Sequence, residues 1–140
     1  MDLDYLRALS QEGQSDIAEQ ILKKCDPQKI AQYLMSELQT KANEAAKKGE
    51  HRAGAFFYVW EERQLGNYRN FDGSFTQGQE YREGPLVDFP NREKASEVLF
   101  TMVKQYIEDN NILLELCETN KSYENYNYTR GQYIRISVKW

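Results

Sequence analysis

Nucleophilic and acid–base chemistry need a few side chain types within reach of one another, and this chain is sparing with them. It has one histidine, His51, and two cysteines, Cys25 and Cys117. A serine, cysteine or threonine nucleophile needs a base beside it, commonly histidine, and a third group to orient that base. His51 follows Lys47, Lys48 and Gly49 and precedes Arg52, so it reads as a solvated residue just past a helix end. No nucleophile elbow, phosphate-binding glycine loop or dinucleotide fingerprint is present. Cys25 and Cys117 lie far apart beside apolar residues and read as reduced, partly buried thiols. A zinc site would need more ligands at shorter spacing. No metal or other cofactor is expected.

Carboxylates are the remaining candidates. Glu61, Glu62, Glu80, Glu83 and Asp88 lie in or near a turn-rich stretch, where two of them together can do acid–base work on a sugar or phosphate ester. Arg63 or Arg69 would then hold an anionic group. Nothing in their spacing brings any two to one site, and Asp72, Ser74 and Glu80 do not match the aspartate-rich calcium pattern.

The aromatic and basic residues are more distinctive, with ten tyrosines in 140 residues. Tyr68, Arg69 and Tyr81 fall in the turn-rich stretch. Tyr123, Tyr126, Tyr128 and Arg130 approach the last strand, and Tyr133 and Arg135 lie on it. Tyrosine and arginine are enriched at protein interfaces because they add contact area and a polar tip with few rotors. The expectation is a non-enzymatic protein-interaction module that docks a protein partner, or a second copy of itself, on an aromatic sheet face and nearby loops. One alternative is a small enzyme or ligand-binding domain that uses the loop carboxylates. Another is a nucleic-acid-binding accessory protein that stacks bases on its aromatics. A net charge of −4 argues against electrostatic wrapping of nucleic acid. The plainer reading of these tyrosines is that they fill a half-exposed sheet face.

The elements that must position these residues follow from periodicity. The composition, 40% hydrophobic and 29% charged, is that of a globular chain. The opening MDLDYLRALSQ has neither a basic nor an apolar leader region, and the run Ala53 to Trp60 is too short to span a bilayer. A cytoplasmic location is expected. Residues 1–25 read as two short helices, the first carrying Leu3, Leu6 and Leu9 and ended by Gly13, the second capped by Ser15. Asp26-Pro27 opens a long helix that runs to Lys48, with Gly49 as its stop. Phe56, Phe57, Tyr58, Val59 and Trp60 form a strand suited to cover on both faces and a central place in the sheet.

Residues 65–90 are a turn-rich insertion. Asp72-Gly73 predicts a type I′ hairpin near Tyr68 to Gln77, followed by an extended connector bounded by proline. Asn91 caps a helix from Arg92 to Asp109. Ile112 to Glu118 and Gln132 to Trp140 are strands. Asn120-Lys121 can turn the chain early to give two long strands, or the stretch between can be a floppy loop; a long hairpin is preferred because Tyr126 and Tyr128 keep the alternation. The terminal strand is expected at a sheet edge, open to a second copy. The sum is a single α+β domain over residues 1–140, with its helices on one face of a small, mainly antiparallel sheet.

Overall fold

The computed structural model describes residues 1–66, 68–107, 109–122 and 127–140. Helices α1 (Leu3–Leu22), α2 (Pro27–Lys47) and α3 (Arg92–Lys104) pack against a four-stranded antiparallel sheet. Its strands are β1 (Arg52–Gln64), β4 (Glu80–Glu83), β5 (Ile112–Ser122) and β6 (Tyr128–Lys139), in the order β4-β1-β6-β5. A separate two-stranded ribbon joins β2 (Tyr68–Arg69) to β3 (Phe75–Thr76). The expected α+β class, with helices on one face of an antiparallel sheet, is what the chain adopts.

The two-residue alternation of the strands divides the sheet into a packed face and a bare one. Ala55, Ile134 and Ile136 point inward and meet Ile30, Leu34 and Leu38 of α2, Leu99 and Val103 of α3, and Ile21 of α1 in one core. Ile112, Leu114, Leu116 and Val138 extend that core toward the β5 edge. The opposite parity faces away from the helices; on it Phe56, Leu113 and Arg135 are exposed, whereas Tyr58 and Tyr133 are half-buried.

Local chemistry explains α2 well. Asp26 accepts a hydrogen bond from the Gln28 N–H at 3.0 Å, and Pro27 sits where its missing N–H costs nothing. At the other end Gly49 takes φ 79° and donates to Ala46, so the chain leaves in the left-handed conformation that only glycine adopts cheaply.

Other elements differ from the expectation. The N-terminal segment is one 20-residue helix, capped by Asp2. Gly13 and Ser15 both lie in its exposed half, where no packing force breaks it and uninterrupted hydrogen bonding wins over a local cap. The hairpin exists, but with a three-residue loop: Asn70 and Gly73 bond across it, and Gly73 alone takes positive φ. That is a type I turn followed by a left-handed glycine, not type I′. The connector contains β4, which the sequence pattern did not disclose because all four of its residues are exposed.

Helix α3 stops at Lys104, and Asn91 stands at its N-cap at φ 51° with no side-chain cap bond. The long hairpin is real, with Ile112 opposite Val138 through to Ser122 opposite Tyr128, so Asn120-Lys121 lies within a strand. Strand β6 is flanked by β1 and β5 and is no edge. From Arg52 to Tyr58 strand β1 is covered by helices on one face only, whereas Val59 to Glu62, past a register shift, are buried at every position.

Candidate functional site

The bare face carries the aromatic concentration. Register places Tyr58 opposite Tyr133 and Phe56 opposite Arg135, all four pointing away from the helices. The Phe56 and Tyr58 rings meet edge to face at 5.5 Å, Phe56 and Tyr133 at 5.9 Å, and Tyr58 and Tyr133 are tilted at 5.3 Å. Each pair lies in the range where aromatic quadrupoles attract. The rings thus fill one another's space and make a raised patch. A cage for a cationic ligand would require them to stand apart.

Polar groups border the patch. Glu61 is 3% exposed, and its Oε1 accepts from Arg63 Nε. Burial, and then the neighbouring Glu61, push the Tyr58 hydroxyl above its ordinary pKa. Glu115 accepts from Arg135 across the β5–β6 pair. Beside the rings lies an open trough of about 620 Å³, lined among others by Arg52, Gly54, Leu113, Arg135 and Lys139. Gly54 leaves the trough floor without a side chain, and Leu113 on its wall is 56% exposed.

A second cluster sits on the packed side, at the end of the sheet. Glu62 is 7% exposed and accepts from Arg92 at 2.7 and 3.1 Å, from Arg130 at 2.8 Å and from Arg82 at 3.3 Å. The hydrogen bond from Arg92 does most to hold the carboxyl at about 2; burial opposes it, and Arg130 helps. Arg92 also lies over the Trp60 ring, 3.7 Å from its centroid. Trp60 Nε1 donates to Gln132 at 2.8 Å, and Gln132 donates to Glu118 at 3.3 Å. This network ties β1, β4, β6 and α3 together, with its carboxylate already committed to protein donors. Its chemistry is that of a structural clasp.

The structure brings together only part of the sequence-based candidate set. Tyr133 and Arg135 belong to the aromatic face, and Tyr81 stands on the same side at β4, opposite Arg63. Arg130 is on the other side, on Glu62. Tyr128 begins β6 opposite Gln64, with the same inward parity as Arg130. Arg69 stacks on Phe75 at 5.0 Å in the ribbon, whose backbone pairs Tyr68 with Thr76. Tyr123 and Tyr126 lie outside the described residues.

Sequence reasoning left Phe56 and Leu113 out of the candidate surface. Alternation within Ala53 to Trp60 separates Phe56 and Tyr58 from Phe57, and that was the signal that could have found Phe56. Of the candidate carboxylates only Glu61 and Glu83 are brought opposite each other, across β1 and β4, with Arg63 paired to Glu61. Glu62 is held in its arginine cluster, Asp88 pairs with Arg82 at 2.7 Å, and Glu80 lines a different hollow of about 500 Å³. Cys25 and Cys117 are both free thiols, on the helix layer and on the bare sheet face respectively. Among the described residues no helix is long and apolar enough to cross a membrane, and no cluster of His, Cys, Asp or Glu has a metal-binding arrangement.

No family model, no curated protein and no solved structure matches this chain.

Proposed function

We propose that the chain is a non-enzymatic, cytoplasmic interaction module whose bare sheet face docks a protein partner. One observation carries this reading: the Phe56, Tyr58 and Tyr133 rings form an aromatic patch beside an open trough, on a face against which no helix packs among the described residues. A sheet face rich in large apolar side chains is normally covered, and an exposed one bordered by charge marks an interaction surface. The rings close on one another, which suits a broad protein surface better than an enclosed small ligand.

Charge suggests the partner's character. Arg63 and Arg135 on this face are paired with Glu61 and Glu115, whereas Arg52, Lys121 and Lys139 share the outward parity and have no carboxylate ion pair among the described residues. An acidic chain thus turns a basic rim outward around its aromatic patch. The matching surface has an apolar centre and an acidic rim.

The test is comparative affinity purification with wild type and Tyr133→Ala, quantified against a folded control by mass spectrometry. Proteins held through this face drop at least about tenfold with Tyr133→Ala, the loss expected at an aromatic hot spot. Equal recovery, with both proteins folded by circular dichroism, overturns the reading. A salt-dependent shift of single-stranded RNA by the same face would favour base stacking instead.

A further inference from the structure

Strand β1 has a second unsatisfied feature, its backbone edge. Strand β6 pairs the whole length of β1 on one side, but β4 covers the other side only from Glu61 to Gln64. The Leu86 N–H, bonded to the Val59 carbonyl at 3.1 Å, closes the covered part. From Arg52 to Tyr58, no strand among the described residues lies against the outer edge.

Which backbone groups are left over follows from the ladder. The Trp140 N–H donates to the His51 carbonyl, which makes that opposed pair a hydrogen-bonded one. In an antiparallel ladder such pairs alternate with pairs that are not bonded to each other. Ala53, Ala55 and Phe57 therefore spend their N–H and C=O groups on β6. Arg52, Gly54, Phe56 and Tyr58 aim theirs at the open edge. Proteins blunt such edges with lysine, proline or inward charges, yet Ala53 to Val59 contains none of these.

The side chains on this stretch identify the occupant. Its first half is small (Ala53, Gly54, Ala55) and its second half large (Phe56, Phe57, Tyr58). Paired antiparallel with itself about Ala55, the centre of the open stretch, both phenylalanines fall opposite small residues. Phe57 meets Ala53 of the second copy, and Phe56 meets Gly54, an arrangement in which an aromatic covers a cross-strand glycine. The one charge, Arg52, falls opposite the Tyr58 ring of the second copy and not opposite its own counterpart. Outward backbone groups face outward backbone groups, as hydrogen bonding requires.

We infer that two copies of this chain join β1 to β1 along Arg52–Tyr58, making one continuous eight-stranded sheet with all helices on the same face. The two-fold axis runs between the two Ala55 residues, perpendicular to the sheet. Tyr33 of α2, 49% exposed and edge to face with Phe57 at 6.0 Å, stands beside the seam on the helix side. The aromatic faces of the two copies become coplanar and make one larger surface across the seam.

Sedimentation equilibrium at low and high micromolar protein, with residue-resolved hydrogen exchange at the same concentrations, tests this. The expected result is a species of twice the chain mass at the higher concentration. In it the Gly54, Phe56 and Tyr58 amides exchange about tenfold or more slowly than in the monomer. Phe56→Pro removes an edge N–H that β6 does not use, a substitution edge strands tolerate, and should sediment as a folded monomer. A wild-type monomer at every concentration overturns the inference. So does a dimer whose three amides remain fast, which would be joined elsewhere, and so does a folded Phe56→Pro protein that still dimerises. Because the amide readout uses wild-type protein, a misfolded variant does not blunt it. Tyr133→Ala leaves the edge intact and should dimerise normally, so failure of partner docking and failure of edge pairing are distinguishable.

Discussion

At the scale of single residues, Glu62 illustrates how burial changes the value of a charge. An exposed ion pair contributes little, since water already satisfies both partners. Glu62 is shielded, and Arg92, itself shielded beneath Trp60, bonds both carboxylate oxygens. Its folded pKa of about 2 lies below its ordinary 4.5. A carboxylate with a lowered folded pKa stabilises the protein above its unfolded pKa, and that stabilisation disappears as pH falls through the folded value. The gap corresponds to about 3 kcal/mol, lost between roughly pH 5 and pH 2. Urea titrations over that window should show wild type weakening steeply. Glu62→Gln should be less stable at neutral pH by about 3 kcal/mol and show a flatter acid limb. Parallel acid limbs would mean that Glu62 is not the group that titrates. Glu62 was legible in the sequence as a carboxylate near a strand end, but its three arginines come from β4, α3 and β6, and only the fold collects them.

At the scale of elements, α1 separates local preference from tertiary support. Its first 14 residues, Leu3 to Asp16, are all exposed, with Leu3, Leu6 and Leu9 turned to solvent, and burial begins only at Ile17 and Ile21. Continuity through Gly13 comes from hydrogen bonding along the helix, whereas attachment comes from the last turn packing toward α3. Deleting residues 1–14 should change unfolding free energy by less than about 0.5 kcal/mol, as surface changes do, and leave the chemical shifts of the sheet in place. A loss of several kcal/mol would mean that the exposed half supports the domain. The long elements α2 and β6 were readable because cap, period and stop agreed. Strand β4 was not, because a short strand exposed at every position has no alternation to read.

At the scale of the whole molecule, the sheet has one core and one bare face, and neighbouring residues on β6 test that division. Ile134 is fully buried between sheet and helices, and Tyr133 points the other way. Ile134→Ala should cost about 2–5 kcal/mol through lost burial and the cavity left behind. Tyr133→Ala, on the open face, should cost about 1 kcal/mol, chiefly its ring contacts. Chemical denaturation of the two variants compares them directly, and similar losses would indicate that the aromatic face is packed in solution. The same asymmetry explains why β1 bears two exposed features at once, aromatic side chains on one face and free backbone groups along one edge.

The class of the fold, the span of α2, the existence of the ribbon and the long final hairpin were determined by the sequence alone. Each rests on interactions between residues close in the chain or on an unbroken period, which local spacing records. Strand order, the uncovered face and edge of β1, and the meeting of Phe56, Tyr58 and Tyr133 were decided only by the tertiary structure. Those depend on register between strands far apart in sequence, and a one-residue shift of register would send every side chain to the opposite face. The tyrosines and arginines that composition marked as one group were thus divided: Tyr133 and Arg135 to the bare face, Arg130 to the clasp at Glu62.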